Sequence, residues 1–195
     1  MRFSLAGVQL KFSAIAEASG GLTIPVDGVG GSQIVKLPSA TYPNVPENEF
    51  AMMSLARMIG IEVPETSLVP VAEIQGLPDD MRGIGETAFA VKRFDRAHDG
   101  KAIHVEDFAQ VFRVYPERKY KRATYRNIAE VVWAEIGATG IEEFIRRLTF
   151  SALIGNADMH LKNWSLIYPD GRPAELAPAY DYVSTIASLD DTGMA

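Results

Sequence analysis

The sequence contains no cysteine, which excludes disulfide bridges, a thiol nucleophile and cysteine-ligated zinc. Histidine is scarce too. His98, His104 and His160 include no pair at the i, i+4 spacing of a helical metal site, so zinc is not expected. No uninterrupted apolar run approaches the roughly 18 residues of a membrane-spanning helix. The stretch Met1 to Gln9 lacks an apolar segment followed by a cleavage site, so secretion is not expected and a reducing, cytoplasmic setting fits. Positive charge is also in deficit: 19 Lys and Arg against 25 Asp and Glu leave a net charge of −6. A chain that gripped a phosphate backbone by itself would be basic, so autonomous nucleic-acid binding is disfavoured. One local exception, Arg113, Arg118, Lys119, Lys121, Arg122 and Arg126, reads first as a solvated helix face and second as a patch for an anionic partner.

What is present is an ordinary globular composition, 47% hydrophobic and 23% charged over 195 residues, enough for one domain or one domain in two lobes. The first half reads as strands. Val8 to Ala16 alternates loosely, Leu22 to Ile24 resumes after Gly20-Gly21, and Gln33 to Leu37 precedes Pro38. A helix is predicted from Pro46 to Met58, with proline and acidic residues in its first turn and Gly60 as its stop. Val63 to Ile74 is strand-like but broken by Pro64 and Pro70, and Thr87 to Phe94 is the clearest strand. The second half turns helical: a short piece over Val105 to Phe112, a helix from Tyr120 to Ile136, and an amphipathic helix carrying Ile141, Phe144, Ile145, Leu148 and Ala152. Trp164 to Tyr168 and Glu175 to Tyr180 form a late hairpin around Pro169-Asp170-Gly171. Gly28-Val29-Gly30-Gly31 is not G-x-G-x-x-G and no helix follows it, so it reads as a hairpin turn rather than a phosphate loop.

Chemistry concentrates after the amphipathic helix. Asp158 is followed by Asn163 at the fifth position, and Asp181 lies beyond the hairpin. A carboxylate that accepts a hydroxyl proton, followed by an amide oxygen and a second carboxylate that hold a hard cation, is the donor set of kinase-type phosphoryl transfer. Helix-end and turn chemistry, with His160 as a local hydrogen-bonder, accounts for the same spacing. Upstream, Lys36 sits on a predicted strand, and Glu47 or Glu49 on the following helix could pair with it. An exposed strand lysine is the other reading.

The segments Phe3 to Lys11, Ile34 to Pro38, Asn48-Glu49-Phe50, Val91-Lys92-Arg93-Phe94-Asp95-Arg96, Gly155 to Asn163 and Pro178 to Ser184, taken in this order, resemble the HipA family of bacterial serine/threonine kinases, the toxins of HipA–HipB toxin–antitoxin modules. The resemblance implies an α+β, protein-kinase-like two-lobed fold. Residues 1–97 would form a strand-rich nucleotide-binding lobe with phosphate loop and lysine strand. Residues 98–195 would form a helical lobe with the catalytic loop and metal-binding aspartate. By the resemblance the chain would be shortened at both ends relative to HipA, as a fragment, as a shortened gene product or as a relative of the HipT branch, which lacks the front domain but not the tail.

By the same resemblance, Asp158 would be the catalytic base, and Asn163 and Asp181 would bind Mg²⁺. Lys36 would hold the ATP phosphates with Glu49 as its candidate partner. Ala6, Gly7, Val8, Gln9, Lys11, Arg93, Phe94, His160 and Lys162 would complete the ATP site. Ser4 would be autophosphorylated, and the phosphate would repel ATP. The implied cofactors are ATP and Mg²⁺. The implied partners are a HipB-like DNA-binding antitoxin, with DNA touched only through it, and a protein substrate such as an aminoacyl-tRNA synthetase, whose modification arrests translation. Two other readings stand beside this one: a small-molecule kinase of the aminoglycoside or choline type, and an inactive remnant that binds an antitoxin.

Overall fold

The alternation in the first ninety residues becomes one sheet. The computed structural model describes residues 9–17, 21–25, 30–39, 42, 44–97, 99–114 and 124–188. Strands β1 (Lys11–Ala16), β2 (Leu22–Thr23), β3 (Gln33–Lys36), β4 (Thr66–Pro70), β5 (Ile74–Gln75) and β6 (Thr87–Lys92) lie in the order β4-β6-β3-β1-β2-β5. All neighbours are antiparallel except β2 and β5. Period-two alternation gives β6 two buried faces. Ala88 and Ala90 pack with Ala14, Val35, Leu37 and Val71 on one side. Phe89 and Val91 pack on the other, against helix α1 (Val45–Met58).

Helix α1 ends as its sequence demands. Gly60 has φ of 82°, its N–H donates to Arg57 O at 3.1 Å, and Ile61 N–H reaches Ala56 O at 3.0 Å. That pair of bonds satisfies the last carbonyls of the helix through a left-handed residue that glycine tolerates without strain.

The second half is helical with a small sheet. Helix α2 (Phe108–Val111) and helix α3 (Tyr125–Glu135) both open on reciprocal caps, Asp107 with Gln110 and Thr124 with Asn127. Helix α4 (Ala138–Leu153) buries Phe144, whose ring lies 4.8 Å from that of Trp164 within a core that includes Phe108, Ile128, Val132 and Leu166. A third core joins the two halves: Met53, Phe89 and Val91 pack with Phe150, Ile154, Ala179 and Tyr182. Among the described residues no helix is long and apolar enough to cross a membrane.

Four expectations need correction. The segment predicted as a short helix from Val105 to Phe112 begins as strand β7 (His104–Asp107), and only Phe108–Val111 is helical. Pairing with β8 (Ser165–Tyr168) decides this, because residues sixty positions away supply the ladder hydrogen bonds. The late hairpin of β8 and β9 (Glu175–Leu176) is therefore part of a three-stranded sheet ordered β7-β8-β9. The Gly28–Gly31 stretch does not close a hairpin, since β1 lies between β2 and β3 in the sheet; Gly28 and Val29 themselves lie outside the described residues. The segment Val63 to Ile74 resolves into β4, a 3-10 turn over Val71–Glu73 and the start of β5. Residues 120–123 of the helix expected to start at Tyr120 lie outside the described residues, and α3 runs from Tyr125.

Phe89 is fully buried where the large sheet meets α1 and the α4 side of the core. Phe89→Ala should lower unfolding free energy by about 3–5 kcal/mol. Denaturant titration checks this, and a loss below about 1 kcal/mol would contradict a tightly packed junction.

Candidate active-site cleft

Strand β3 alternates like β6. Val35 and Leu37 enter one core, so Lys36 takes the opposite face, toward α1. On α1, Glu49 shares a buried face with Met53 and Ala56 at i, i+4 and i+7. That register, rather than charge, selects Glu49 over Glu47 as the lysine's partner. The Lys36 ammonium donates to Glu49 Oε1 at 2.6 Å and to Asp181 Oδ1, and it lies 5.7 Å from the centre of the Phe89 ring. Burial alone would drive the lysine toward neutrality, but Asp181 and Glu49 together outweigh it and hold its pKa above the usual value. Asp181 is pushed up by burial and pulled down further by Lys36, so its carboxyl stays below its ordinary range. Glu49 is the weak member: burial pushes it up to about 7 against the pull of Lys36.

The opposite wall comes from the turn after α4. Gly155 ends the helix with φ of 63°. The Asn156 side-chain oxygen accepts from Asp158 N at 3.1 Å. Asn163 Nδ2 donates to Asp158 O at 3.0 Å, which closes the Asp158–Asn163 loop on itself and leaves the amide oxygen as a donor atom for a ligand. Asp158 and His160 are buried. Together these two walls bound a cleft of about 630 Å³. Lys36, Glu49, Asp158, Asn163 and Asp181 all line it, and so do Gln9, Lys11, Arg93, Phe94, His160 and Lys162. Lys11 reaches this face because it is the register partner of Lys36 across β1 and β3. Arg93 is held at the rim by two hydrogen bonds to Asp95, at 2.8 and 2.6 Å. Ser4, Ala6, Gly7 and Val8 lie outside the described residues.

Other lining residues stand outside the expected site, although Tyr180 lies in the Pro178 to Ser184 segment that carries the family resemblance. Tyr180 donates to Lys162 O at 2.8 Å and lies 2.5 Å from Ser165 Oγ, and its ring stands 5.6 Å from that of Phe94. Because a carbonyl can only accept, the phenol proton goes to Lys162 and the Ser165 hydroxyl donates to Tyr180. Asp107 and Gln110, the capping pair of α2, face the same cleft. A hydrogen-bonding tyrosine beside an aspartate has no distinguishing spacing, and a cap pair reads only as a helix start. In the basic patch, Arg126 forms an i, i+4 pair with Glu130 at 3.0 Å on an exposed surface, as a solvated face would; residues 115–123 lie outside the described residues.

Glu49 generates a pH prediction. A carboxyl whose folded pKa is about 7 binds a proton that the unfolded chain has already lost above its ordinary value of 4.5. Stability therefore falls as pH rises through that window, by on the order of 3 kcal/mol from this residue. Glu49→Gln mimics the neutral acid, so its thermal stability relative to the wild type should rise between pH 5 and pH 8. A difference in melting temperature that stays constant with pH would contradict the assignment.

The family model described as the HipA-like C-terminal domain matches residues 3–195. A Sinorhizobium fredii protein named "Putative kinase Y4dM" is 58% identical over 192 residues, covering 97% of this chain and 47% of the relative. The serine/threonine-protein kinase toxin HipA of Shewanella oneidensis is 27% identical over 204 residues, covering 94% of this chain and 43% of the toxin. HipA of that organism has been solved with HipB and its operator DNA. That structure matches with a TM-score of 0.72 and 26% identity over 95% of this chain and 44% of the solved one. A Helicobacter pylori kinase, CtkA, shares the fold at a TM-score of 0.54 and 17% identity, covering 76% of this chain and 50% of CtkA. The chain thus spans a little under half the length of these curated relatives. By the extent of the family match and the agreement of fold, this chain belongs to the HipA-like C-terminal domain family.

Proposed function

We propose that the chain carries the catalytic core of an ATP- and Mg²⁺-dependent serine/threonine protein kinase of the HipA kind. The observation that carries the reading is the convergence, in one cleft of about 630 Å³, of the buried Lys36–Glu49–Asp181 ion cluster with Asp158 and Asn163. A volume of that size suits a nucleotide.

The donor set suits magnesium. Mg²⁺ prefers hard oxygen ligands, keeps several waters and takes one or two carboxylates with substrate phosphates. Asn163 offers an amide oxygen, and Asp181 offers the carboxylate oxygen that Lys36 does not occupy. When bound, the ion would neutralise charge developing on the transferring phosphates. Lys36 would bind phosphate oxygens while Glu49 keeps the ammonium in place. Asp158 would accept the proton of the attacking hydroxyl. Gln9, Lys11, His160 and Lys162 would surround the phosphates, and Arg93 with Phe94 would border the base. Ser4, with the loop of Ala6, Gly7 and Val8, would provide the self-phosphorylation site.

Kinase names among the relatives and the fold shared with HipA support this reading. A HipB-like antitoxin is the proposed partner, by analogy with the solved HipA, HipB and operator DNA complex. Contact with DNA through that partner agrees with the net charge of −6. An aminoacyl-tRNA synthetase is the proposed substrate, and the cytoplasm the proposed location.

Transfer from Mg-ATP, followed by mass spectrometry to locate phosphate, tests the assignment. The wild type should carry phosphate on Ser4. Asp158→Asn should reduce transfer by about 10²-fold or more while sparing ATP binding. Asp181→Asn should weaken binding of Mg-ATP itself. Small, equal effects of the two substitutions would sink the division of roles.

A further inference from the structure

Asp181 is one of three non-glycine residues with positive φ, at 56°, among the described residues. Aspartate enters this left-handed conformation more readily than most L-residues but still at a cost, and here the chain is held on both sides of it. On the N-terminal side, Ala179 N–H donates to Glu62 O at 2.8 Å, and Tyr180 is bonded to Lys162 and Ser165. On the C-terminal side, one side chain holds both backbone polar groups of Ser184. Asn48 Oδ1 accepts from Ser184 N at 2.9 Å, and Asn48 Nδ2 donates to Ser184 O at 3.0 Å.

The carboxamide of Asn48 thus pairs with the backbone of Ser184 as a neighbouring strand would, across 136 positions of sequence. Only a carboxamide offers a donor and an acceptor in this geometry. A carboxylate would set a second oxygen against the Ser184 carbonyl. Asn48 also immediately precedes Glu49, so the same few atoms of α1 hold Glu49 against Lys36 and hold the segment that carries Asp181.

Resting on the kinase reading above, we infer that Asn48 is a positioning residue of the metal–nucleotide site. Its pairing with Ser184 keeps Asp181 in the left-handed conformation in which the carboxylate meets Lys36 and lines the cleft with Asn163. Asn48 acts through the Asp181 segment, so its effect should appear in the magnesium-dependent part of nucleotide binding.

The test measures ATP affinity of the full chain by calorimetry, in excess Mg²⁺ and in EDTA, for wild type, Asn48→Ala and Asn48→Asp, with melting temperatures alongside. Both variants should bind ATP roughly ten-fold more weakly in Mg²⁺ yet within about two-fold of wild type in EDTA, as loss of the paired hydrogen bonds implies. If Asn48→Ala does not fold, Asn48→Asp carries the test, because it keeps the acceptor for Ser184 N–H. Equal weakening in both media with a lowered melting temperature would mark Asn48 as merely structural and overturn the inference. Unchanged magnesium enhancement in the variants would overturn it as well. A wild type without any magnesium enhancement would instead overturn the kinase reading, and this inference with it.

Discussion

A lysine ammonium in a protein interior is tolerated only with anions in contact, and Lys36 has two. Their arrangement organises much of the rest. Glu49 requires α1 to lie across the sheet with one defined face inward, which Met53 and Ala56 secure on the same side. Asp181 requires the segment after β9 to return to the cleft, 145 residues away from its partner. The cluster holds one ammonium and two carboxylates, and desolvation makes the second negative charge expensive. Glu49 bears that cost, with a pKa of about 7.

Around this cluster the loops are secured by backbone carbonyls and amides captured by single side chains. Thr185 Oγ1 donates to Gly155 O at 2.9 Å and accepts from Ala157 N at 2.8 Å, which fastens the end of α4 to the chain beyond Asp181. Buried Arg147 donates to Ala177 O at 2.6 Å and is itself held by Glu143 at 2.7 Å. Tyr180 does the same for Lys162. Irregular backbone near a site must satisfy its polar groups somewhere, and here those bonds double as the means of orientation. The Asp158–Asn163 loop and the Asp181 segment are therefore tied to each other and to α4.

The cleft as a whole follows from two sheets of unequal size. In the six-stranded sheet Val35 and Leu37 turn into one core, so Lys36 between them faces α1 and lines the cleft. The three-stranded sheet is short, and its middle strand β8 carries Ser165, which hydrogen-bonds Tyr180. The joint core of Phe89, Met53, Phe150 and Tyr182 fixes the two sides against each other through contacts that neither half supplies alone.

Local signals were enough for the elements with strong periodicity or strong punctuation. Alternation marked β6, proline and glycine bounded α1, and i, i+3, i+4 spacing marked α4, because these depend on residues close in sequence. The Asp158 and Asn163 loop, Asp181 and Lys36 were also visible as residue types at telling positions. Pairing between distant segments was not. The strand character of His104–Asp107 depends on β8, the separation of β2 from β3 depends on β1 passing between them, and the choice of Glu49 over Glu47 depends on which face of α1 is buried. Nor could any spacing show that Asn48 clasps Ser184 or that Lys36 is shared between two carboxylates. Neighbouring residues specify the strongly patterned elements and the inventory of reactive groups. Tertiary structure alone decided their partners, because hydrogen bonds and ion pairs act over a few ångströms of space, whatever the distance along the chain.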